Sequence, residues 1–282
     1  MLSLKPRDWL VISGLVGGAA LLMLLARLLI SRDAWMVGLV ASLGALLIVQ
    51  LDTYRRLQAT LIDHHDTPGQ NYRQLEALFS LFALLPIKAA LPPLRGAAIS
   101  PDFAAQLVSL ILRERPSNIL ELGSGASTIV GGYALRASGG GRLVSLEESE
   151  EYAVLARQRV TQHGLDDIVT VVHAPLTSTP LPGGESLWYD VRNLSPDDTI
   201  DLLVVDGPLQ IGRPGDAIRY PALPFLADRL SDRCLVLIDD CHRSQERSMV
   251  ERWLREYPGF VAEQSSGEKQ HIVLRRVHRV PR

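Results

Sequence analysis

From residue 94 onward the sequence predicts an α/β fold, a mostly parallel seven-stranded sheet with helices on both faces. Three observations carry that prediction. Asn118–Val130 reads N-I-L-E-L-G-S-G-A-S-T-I-V, a short apolar run broken by Gly-Ser-Gly and resumed as a small-residue helix start. Downstream, apolar runs and helical patterns alternate through five units. Each of four strand-like runs ends on acidic residues: Glu121, Glu147, Asp206, and Asp239 with Asp240. In open sheets of this kind, ligands bind at the carboxyl ends of the strands.

The chain begins differently. Trp9–Ala26 is almost wholly apolar, Leu28-Leu29-Ile30 continues it past Arg27, and Trp35–Leu51 is a second apolar stretch without a charge. Each has about the length a thin hydrocarbon core requires, roughly 17–25 residues. Ser31-Arg32-Asp33-Ala34 is short enough to make the pair a helical hairpin. Trp9 and Trp35 stand at segment ends, where amphipathic rings favour the interface. A cleaved signal peptide is disfavoured, because no small-residue cleavage site closes the first segment. The expectation is a two-helix transmembrane hairpin over 1–53, with the lipid bilayer as partner. Lys5, Arg7, Arg55 and Arg56 flank the pair, so both ends and the folded domain are expected on the cytoplasmic side of the membrane.

Residues 54–93 read as a helical connector. A polar extension, Tyr54–Asp66, is expected to break at Thr67-Pro68-Gly69. Tyr72–Leu85 then carries Leu75, Leu78, Phe79, Phe82 and Leu85 at helical spacing. Leu91-Pro92-Pro93-Leu94 is a stiff linker. Ser100-Pro101 starts a helix that runs to about Arg113, with serine at the N-cap and proline in the first turn. The strand 118–122 follows. Strands are expected at 142–146, 168–173, 199–205 and 234–238, with helices at 151–163, 222–230 and 245–256. Phe260–Glu263 and His271–Leu274 read as a closing antiparallel hairpin around Ser265-Ser266-Gly267. Pro175–Asp198 is a long insertion in which Trp188-Tyr189 either covers an acceptor or anchors the loop.

Composition narrows the function. A net charge of −2 argues against a broad nucleic-acid footprint. Two cysteines, Cys234 and Cys241, predict no disulfide framework, and no further soft ligands stand near them for zinc. The turn lacks the third glycine of a dinucleotide fingerprint and the Gly-Lys-Ser/Thr of a phosphate loop. A carboxylate beside it, Glu121, suits a cationic ligand better than a pyrophosphate. Glu147, about two dozen residues on, is placed to accept hydrogen bonds from a ribose.

With these residues in view, 94–274 resembles the class I S-adenosylmethionine-dependent methyltransferases. E-L-G-S-G-A-S-T (Glu121–Thr128) is similar to the family's first motif, and V-V-D-G-P (Val204–Pro208) to its fourth-strand motif. R-Y-P-A-L-P (Arg219–Pro224) and the set Asp239, Asp240, Arg243 and Glu246 are similar to a bacterial branch. The resemblance implies S-adenosylmethionine as cofactor. Glu121, Gly123, Ser124, Gly125, Ser127 and Thr128 would then cradle its methionine portion, Glu147 its ribose, and the segment around Ala174 its adenine, with Asp206 also at the cofactor. The aspartate that many relatives offer the adenine is absent here. Asp206, Asp239 and Asp240 resemble the Mg²⁺ ligands of catechol and caffeoyl-CoA O-methyltransferases. Alternatively, Asp206 holds the Gly207-Pro208 turn, and Asp239 or Asp240 caps the next helix. Asp206, Asp239 and His242 are the candidate catalytic residues, His242 as general base. Arg213, Arg219 and Tyr220 are candidates to meet an anionic acceptor.

The expectation is a membrane-anchored methyltransferase, with domains at 1–53, 54–93 and 94–282, acting on an oxygen of a small-molecule or lipid-linked acceptor. The competing reading is a non-catalytic, cofactor-binding membrane assembly or sensing module.

Overall fold

The computed structural model describes residues 17–18, 21, 32–181, 184–191, 199–209, 218–264 and 267–277, with the backbone alone described for 32–41 and 54–68. Two compact units divide the chain, Met1–Gly69 and Gln70–Arg282. Apart from residues 17, 18 and 21, the first expected span, Trp9–Ala26, lies outside the described residues, as does Leu28–Ile30. Among the described residues, no helix is long and apolar enough to cross a membrane.

Helix α1 is a 53-residue element, Arg32–Leu84. It runs unbroken through Thr67-Pro68-Gly69, where the sequence predicted a break. A proline inside a helix costs about 3 kcal/mol, and the packing beyond residue 70 outweighs that local preference. Leu81 and Leu85 are fully buried, and Gln74 Oε1 accepts a hydrogen bond from the Asp102 amide at 3.1 Å. The buried stripe is therefore Gln74, Leu78, Leu81 and Leu85, spaced for one helix face. Leu75, Phe79 and Phe82, expected on that face, stand outside it and are exposed. Earlier in α1, Leu46, Leu47, Ile48 and Val49 are also exposed, each by more than half.

Residues beyond the linker form the predicted layered domain. Helices α2 (Pro101–Glu114), α3 (Ala126–Ser138), α4 (Glu150–Gln162), α5 (Ala222–Leu226) and α6 (Ser244–Glu256) alternate with strands. These are β1 (Asn118–Leu122), β2 (Arg142–Glu147), β3 (Val169–His173), β6 (Ile200–Val205), β7 (Leu230–Ile238), β8 (Phe260–Gln264) and β9 (Ile272–Arg276). One seven-stranded sheet results, in the order β3-β2-β1-β6-β7-β9-β8. Pairs from β3 to β7 are parallel, and β9 lies antiparallel to both β7 and β8. Within β6, Leu202 and Val204 enter the core under α2 and α3, while Leu203 and Val205 enter the core under α5 and α6. That alternation is why the strands read as continuous apolar runs rather than as half-polar ones. Helix α3 sits close on the sheet because Gly131 and Gly132 leave room for Leu143 and Val169, which an added Cβ would meet at 2.8 and 2.7 Å.

The insertion Pro175–Asp198 differs from its expected loop. It contains a separate antiparallel hairpin, β4 (Leu176–Leu181) and β5 (Gly184–Tyr189). Trp188 and Tyr189 at its end are fully buried in the second core, so they anchor the hairpin and do not lie over an acceptor.

Candidate functional site

The strand order reverses direction at β1, between β2 on one side and β6 on the other. A crevice at such a switch point is where open sheets bind ligands. Here the ends of β1 and β6 come close enough for the Gly207 amide to donate to the Leu122 carbonyl at 2.6 Å. Gly123 has φ +90°, and a Cβ on it would lie 2.9 Å from the Gly207 nitrogen. Glycine at 123 thus permits two strand ends to approach. Gly125 is different, since a Cβ there would meet nothing within 4 Å. Both glycines, with Ser124, Glu147, Asp206 and Asp240, line a cleft of about 340 Å³.

Glu147 ends β2 and is nearly buried, yet it lines this cleft. Its Oε2 accepts from the Ser124 amide at 3.0 Å and the Ser124 hydroxyl at 2.6 Å, while Oε1 accepts from the Ser149 amide at 3.1 Å. Burial raises its pKa, against those hydrogen bonds. Glu121 is fully buried beneath the turn and does not line the cleft. Thr128 Oγ1 donates to it at 2.5 Å and accepts from the Gly125 amide at 2.9 Å. Burial raises the Glu121 pKa as well. Of the residues the sequence reading placed against a cofactor, Glu121 and Thr128 form the floor that holds Gly125 in position, and Ser127 is buried beside them. Ala174 is buried too, its amide bonded to the Glu147 carbonyl at 2.8 Å.

Asp206, Asp239 and Asp240 do converge, as predicted, with one ligand oxygen of each lying within 4.8 Å of the others. They do not converge alone. Arg219 Nη2 lies 3.1 Å from Asp240 Oδ2 and 3.8 Å from Asp206 Oδ1. Lys269 Nζ lies 3.3 Å from Asp239 Oδ2 and 3.5 Å from Asp240 Oδ1, and Arg243 reaches Asp240 Oδ2 at 3.1 Å. The residues present do not fit a Mg²⁺ site, because side-chain cations already hold the carboxylates.

These neighbours split the three acids. Asp240 is buried, but Arg219, Lys269 and Arg243 together hold it below the usual carboxylate range. Asp206 is pushed up to about 7, first by burial and then by Asp239. It is the acid that turns to the cleft with the least cationic support, its one ion pair among the described residues being the long contact to Arg219. Asp239 is fully buried behind it, with its pKa also raised by burial.

His242, the predicted general base, is exposed and does not line the cleft; its Nδ1 lies 3.3 Å from the Lys269 carbonyl. Arg219 lines the cleft while its guanidinium faces the aspartates. Tyr220 donates to Glu256 at 2.7 Å on the surface, and Arg213 lies outside the described residues. Lys269 was missed, since it stands 63 residues after Asp206 in a hairpin loop with no motif around it. The loop is held by the Glu268 amide donating to Asp102 Oδ2 at 2.7 Å, and Lys269 Nζ also donates to the Ala98 carbonyl at 2.9 Å.

A second groove, of about 630 Å³, adjoins the cleft through Pro92, which lines both. Leu75, Leu78, Phe82, Leu91 and Leu94 form its apolar wall, and Asn71, Gln74 and Arg95 also line it.

Residues 120–241 match the family described as "Methyltransferase domain". No curated protein matches the sequence. Among solved structures, cofactor-bound Rv0187 from MTB is similar at 21% identity and a TM-score of 0.50, over 72% of this chain and 88% of that one. An O-methyltransferase from Bacillus cereus in complex with SAH has 20% identity and a TM-score of 0.49, over 73% and 90%. The O-methyltransferase TomG from Streptomyces achromogenes has 19% identity and a TM-score of 0.49, over 74% and 98%.

Proposed function

We propose that this chain, whose residues 120–241 match a methyltransferase domain family, is a class I S-adenosylmethionine-dependent methyltransferase and that it methylates a hydroxyl oxygen of an amphiphilic acceptor at the cytoplasmic face of a membrane. The observation that carries the reading is the single cleft that joins the Ser124-Gly125 turn, the Glu147 carboxylate and Asp206. The residues fit the cofactor. Gly125 leaves open the space a side chain would fill, the start of α3 offers unpaired amides, and Glu147 stands at the strand end where a ribose diol would be bound. Bound S-adenosylmethionine supplies an electrophilic methyl on a sulfonium sulfur.

In this mechanism the protein contributes alignment and a proton acceptor. Methyl transfer is an in-line displacement: the acceptor oxygen forms a bond to carbon as the carbon–sulfur bond breaks, so positioning accounts for much of the acceleration. Asp206 takes the hydroxyl proton, and its place between the cleft and the buried Asp239 keeps it basic enough near neutral pH to do so. Arg219 and Lys269 hold Asp240 in its charged form beside it and oppose the effect of burial on Asp239. Without them, three neighbouring acids could not be held in a buried site.

Two features support an amphiphilic acceptor and a membrane setting. The apolar groove that shares Pro92 with the cleft offers a hydrocarbon tail a dry wall. Leu46–Val49 are exposed on every side of α1, and a helix that is apolar all round needs an apolar surrounding. The N-terminal apolar stretches supply the anchor.

Calorimetry on the full chain in detergent, with S-adenosylhomocysteine and with NAD, tests the cofactor. Binding of the first alone is expected, and binding of NAD alone would refute the reading. A lipid extract incubated with methyl-labelled cofactor tests the acceptor: base-stable label in an organic-soluble product is expected, and label only in water-soluble products would overturn the amphiphilic assignment.

A further inference from the structure

We propose that Arg219 and Lys269 occupy the electrostatic place of a divalent cation, so that this chain binds no metal at its three-aspartate cluster, and that Lys269 is the positioning residue that excludes it. The inference rests on the methyltransferase reading only for what the site does. The claim about metal stands on the side chains themselves.

A hard divalent cation is bound by oxygens that turn their lone pairs to one point, at roughly 2.0–2.6 Å. The cluster has the oxygens, but two side-chain cations already stand among them, each facing two of the three acids. Arg219 is buried and reaches two of the three carboxylates, Asp240 at 3.1 Å and Asp206 at 3.8 Å, while also donating to the Asp239 backbone carbonyl at 3.3 Å. Lys269 bridges the other pairing, Asp239 at 3.3 Å and Asp240 at 3.5 Å. Between them the two cations touch all three acids, as a central ion would, from two sides.

The two contributions are not equivalent. Arg219 comes from the segment after β6, next to the acids it meets, and its planar fork is fixed by three contacts. Lys269 arrives from the β8–β9 loop at the far end of the chain. Its ammonium is pinned by the Ala98 carbonyl at 2.9 Å, and its loop is pinned by Asp102 at 2.7 Å. Asp239 Oδ2 has Lys269 as its partner, whereas Asp239 Oδ1 makes no hydrogen bond. Removing the ammonium therefore leaves a buried carboxylate without its cation, beside Asp240, and that pair is the start of a metal site.

The test reads metal directly. Free Mn²⁺ is followed by electron paramagnetic resonance as full-length protein in detergent is added, with S-adenosylhomocysteine affinity measured in parallel to report the fold. Wild-type protein is expected to leave the Mn²⁺ signal unchanged at millimolar metal, and EDTA to leave the melting temperature and S-adenosylhomocysteine affinity unchanged. Lys269→Met is expected to gain Mn²⁺ affinity by about tenfold to a hundredfold, the scale on which neighbouring groups tune metal sites. Lys269→Arg, which keeps the charge, is expected to remain metal-free. Stoichiometric Mn²⁺ binding by the wild type that Asp239→Asn abolishes would overturn the proposal. If Lys269→Met fails to fold, the wild-type titration alone decides. A folded Lys269→Met that takes up no Mn²⁺ would overturn the role of Lys269. Loss of S-adenosylhomocysteine binding in the wild type would instead refute the cofactor reading and leave the metal result standing.

Discussion

Alanine substitutions at Gly123 and Gly125 separate two roles that the sequence motif presents as one. At Gly123 the backbone sits at φ +90°, where a Cβ costs about 1–2 kcal/mol. The same Cβ would stand 2.9 Å from the nitrogen and 3.0 Å from the Cα of Gly207. Backbone cannot rotate away as a side chain can, so the strand ends must part, at a further cost of about 1–3 kcal/mol. Gly123→Ala is thus expected to destabilise the domain by about 2–5 kcal/mol, a fall in melting temperature on the order of 10 °C for a unit of this size. Gly125 has φ 178°, ordinary extended backbone, and an added methyl meets no atom within 4 Å. Gly125→Ala is expected to cost under about 1 kcal/mol, the scale of an exchange at a helix N-cap. Its methyl enters the cleft, however, and should weaken S-adenosylhomocysteine binding by about tenfold or more, or about 1.4 kcal/mol. Thermal melts and calorimetry on both variants decide the matter. Equal losses of melting temperature in the two, or undiminished cofactor affinity in Gly125→Ala, would refute this division of labour.

The pH dependence follows from Asp206. With its pKa at about 7, the rate should rise from pH 6 to 8 with an apparent pKa near that value, and Asp206→Asn should lower kcat by about 10²–10⁴. A profile unchanged in the Asn variant would show that another group takes the proton. The same raised pKa acts on stability with the opposite slope. The native state keeps a proton that the unfolded chain releases near 3.8, so this group's contribution falls as pH climbs from about 4 to about 7 and is flat above, by about 4 kcal/mol at most. Urea melts across that range, compared with Asp206→Asn, measure it. Glu147→Gln should weaken S-adenosylhomocysteine by about tenfold to a hundredfold, the worth of hydrogen bonds to a charged group, which calorimetry reads directly. Phe82→Glu, at a half-exposed position, should leave the melting temperature and cofactor affinity intact while raising KM for long-tailed acceptors. An unchanged KM would remove the groove from substrate binding.

Much of the domain was legible because its signals are local. The Gly-Ser-Gly break, the strand-end acids and the alternating apolar runs each depend on neighbours in sequence, and β1, β2, β3 and β6 end within a residue of expectation. Close helix–strand packing, expected of a third glycine in the turn, is supplied instead by Gly131 and Gly132 one turn further into α3. What failed depends on partners distant in sequence. Pro68 signalled a break, but the buried Leu81 and Leu85 continue the helix on its far side. The spacing of Leu75, Phe79 and Phe82 showed that α1 has an apolar stripe, but spacing alone could not say which of two adjacent stripes meets the core. The hairpin at 176–189 was hidden by its Pro, Gly and Ser content, because its buried anchors Trp188 and Tyr189 stand at one end only.

The division within the site has the same origin. Glu121 pairs with Ser145, so Glu147 lies two positions further along the sheet on the same face; one acid is sealed beneath a threonine and the other reaches the cleft. A motif fixes the order of residues along one strand without fixing how far the neighbouring strand extends. The three aspartates show the stronger form of the problem. Their convergence was readable from strand-end positions, but their chemistry depends on which cations reach them, and the decisive ammonium arrives from Lys269, carried by a loop that closes only when β9 pairs with β7. Electrostatic character in this site is therefore a property of the completed sheet. A truncation that removed β8 and β9 would change the charge of the cleft before it changed any residue the family motif contains.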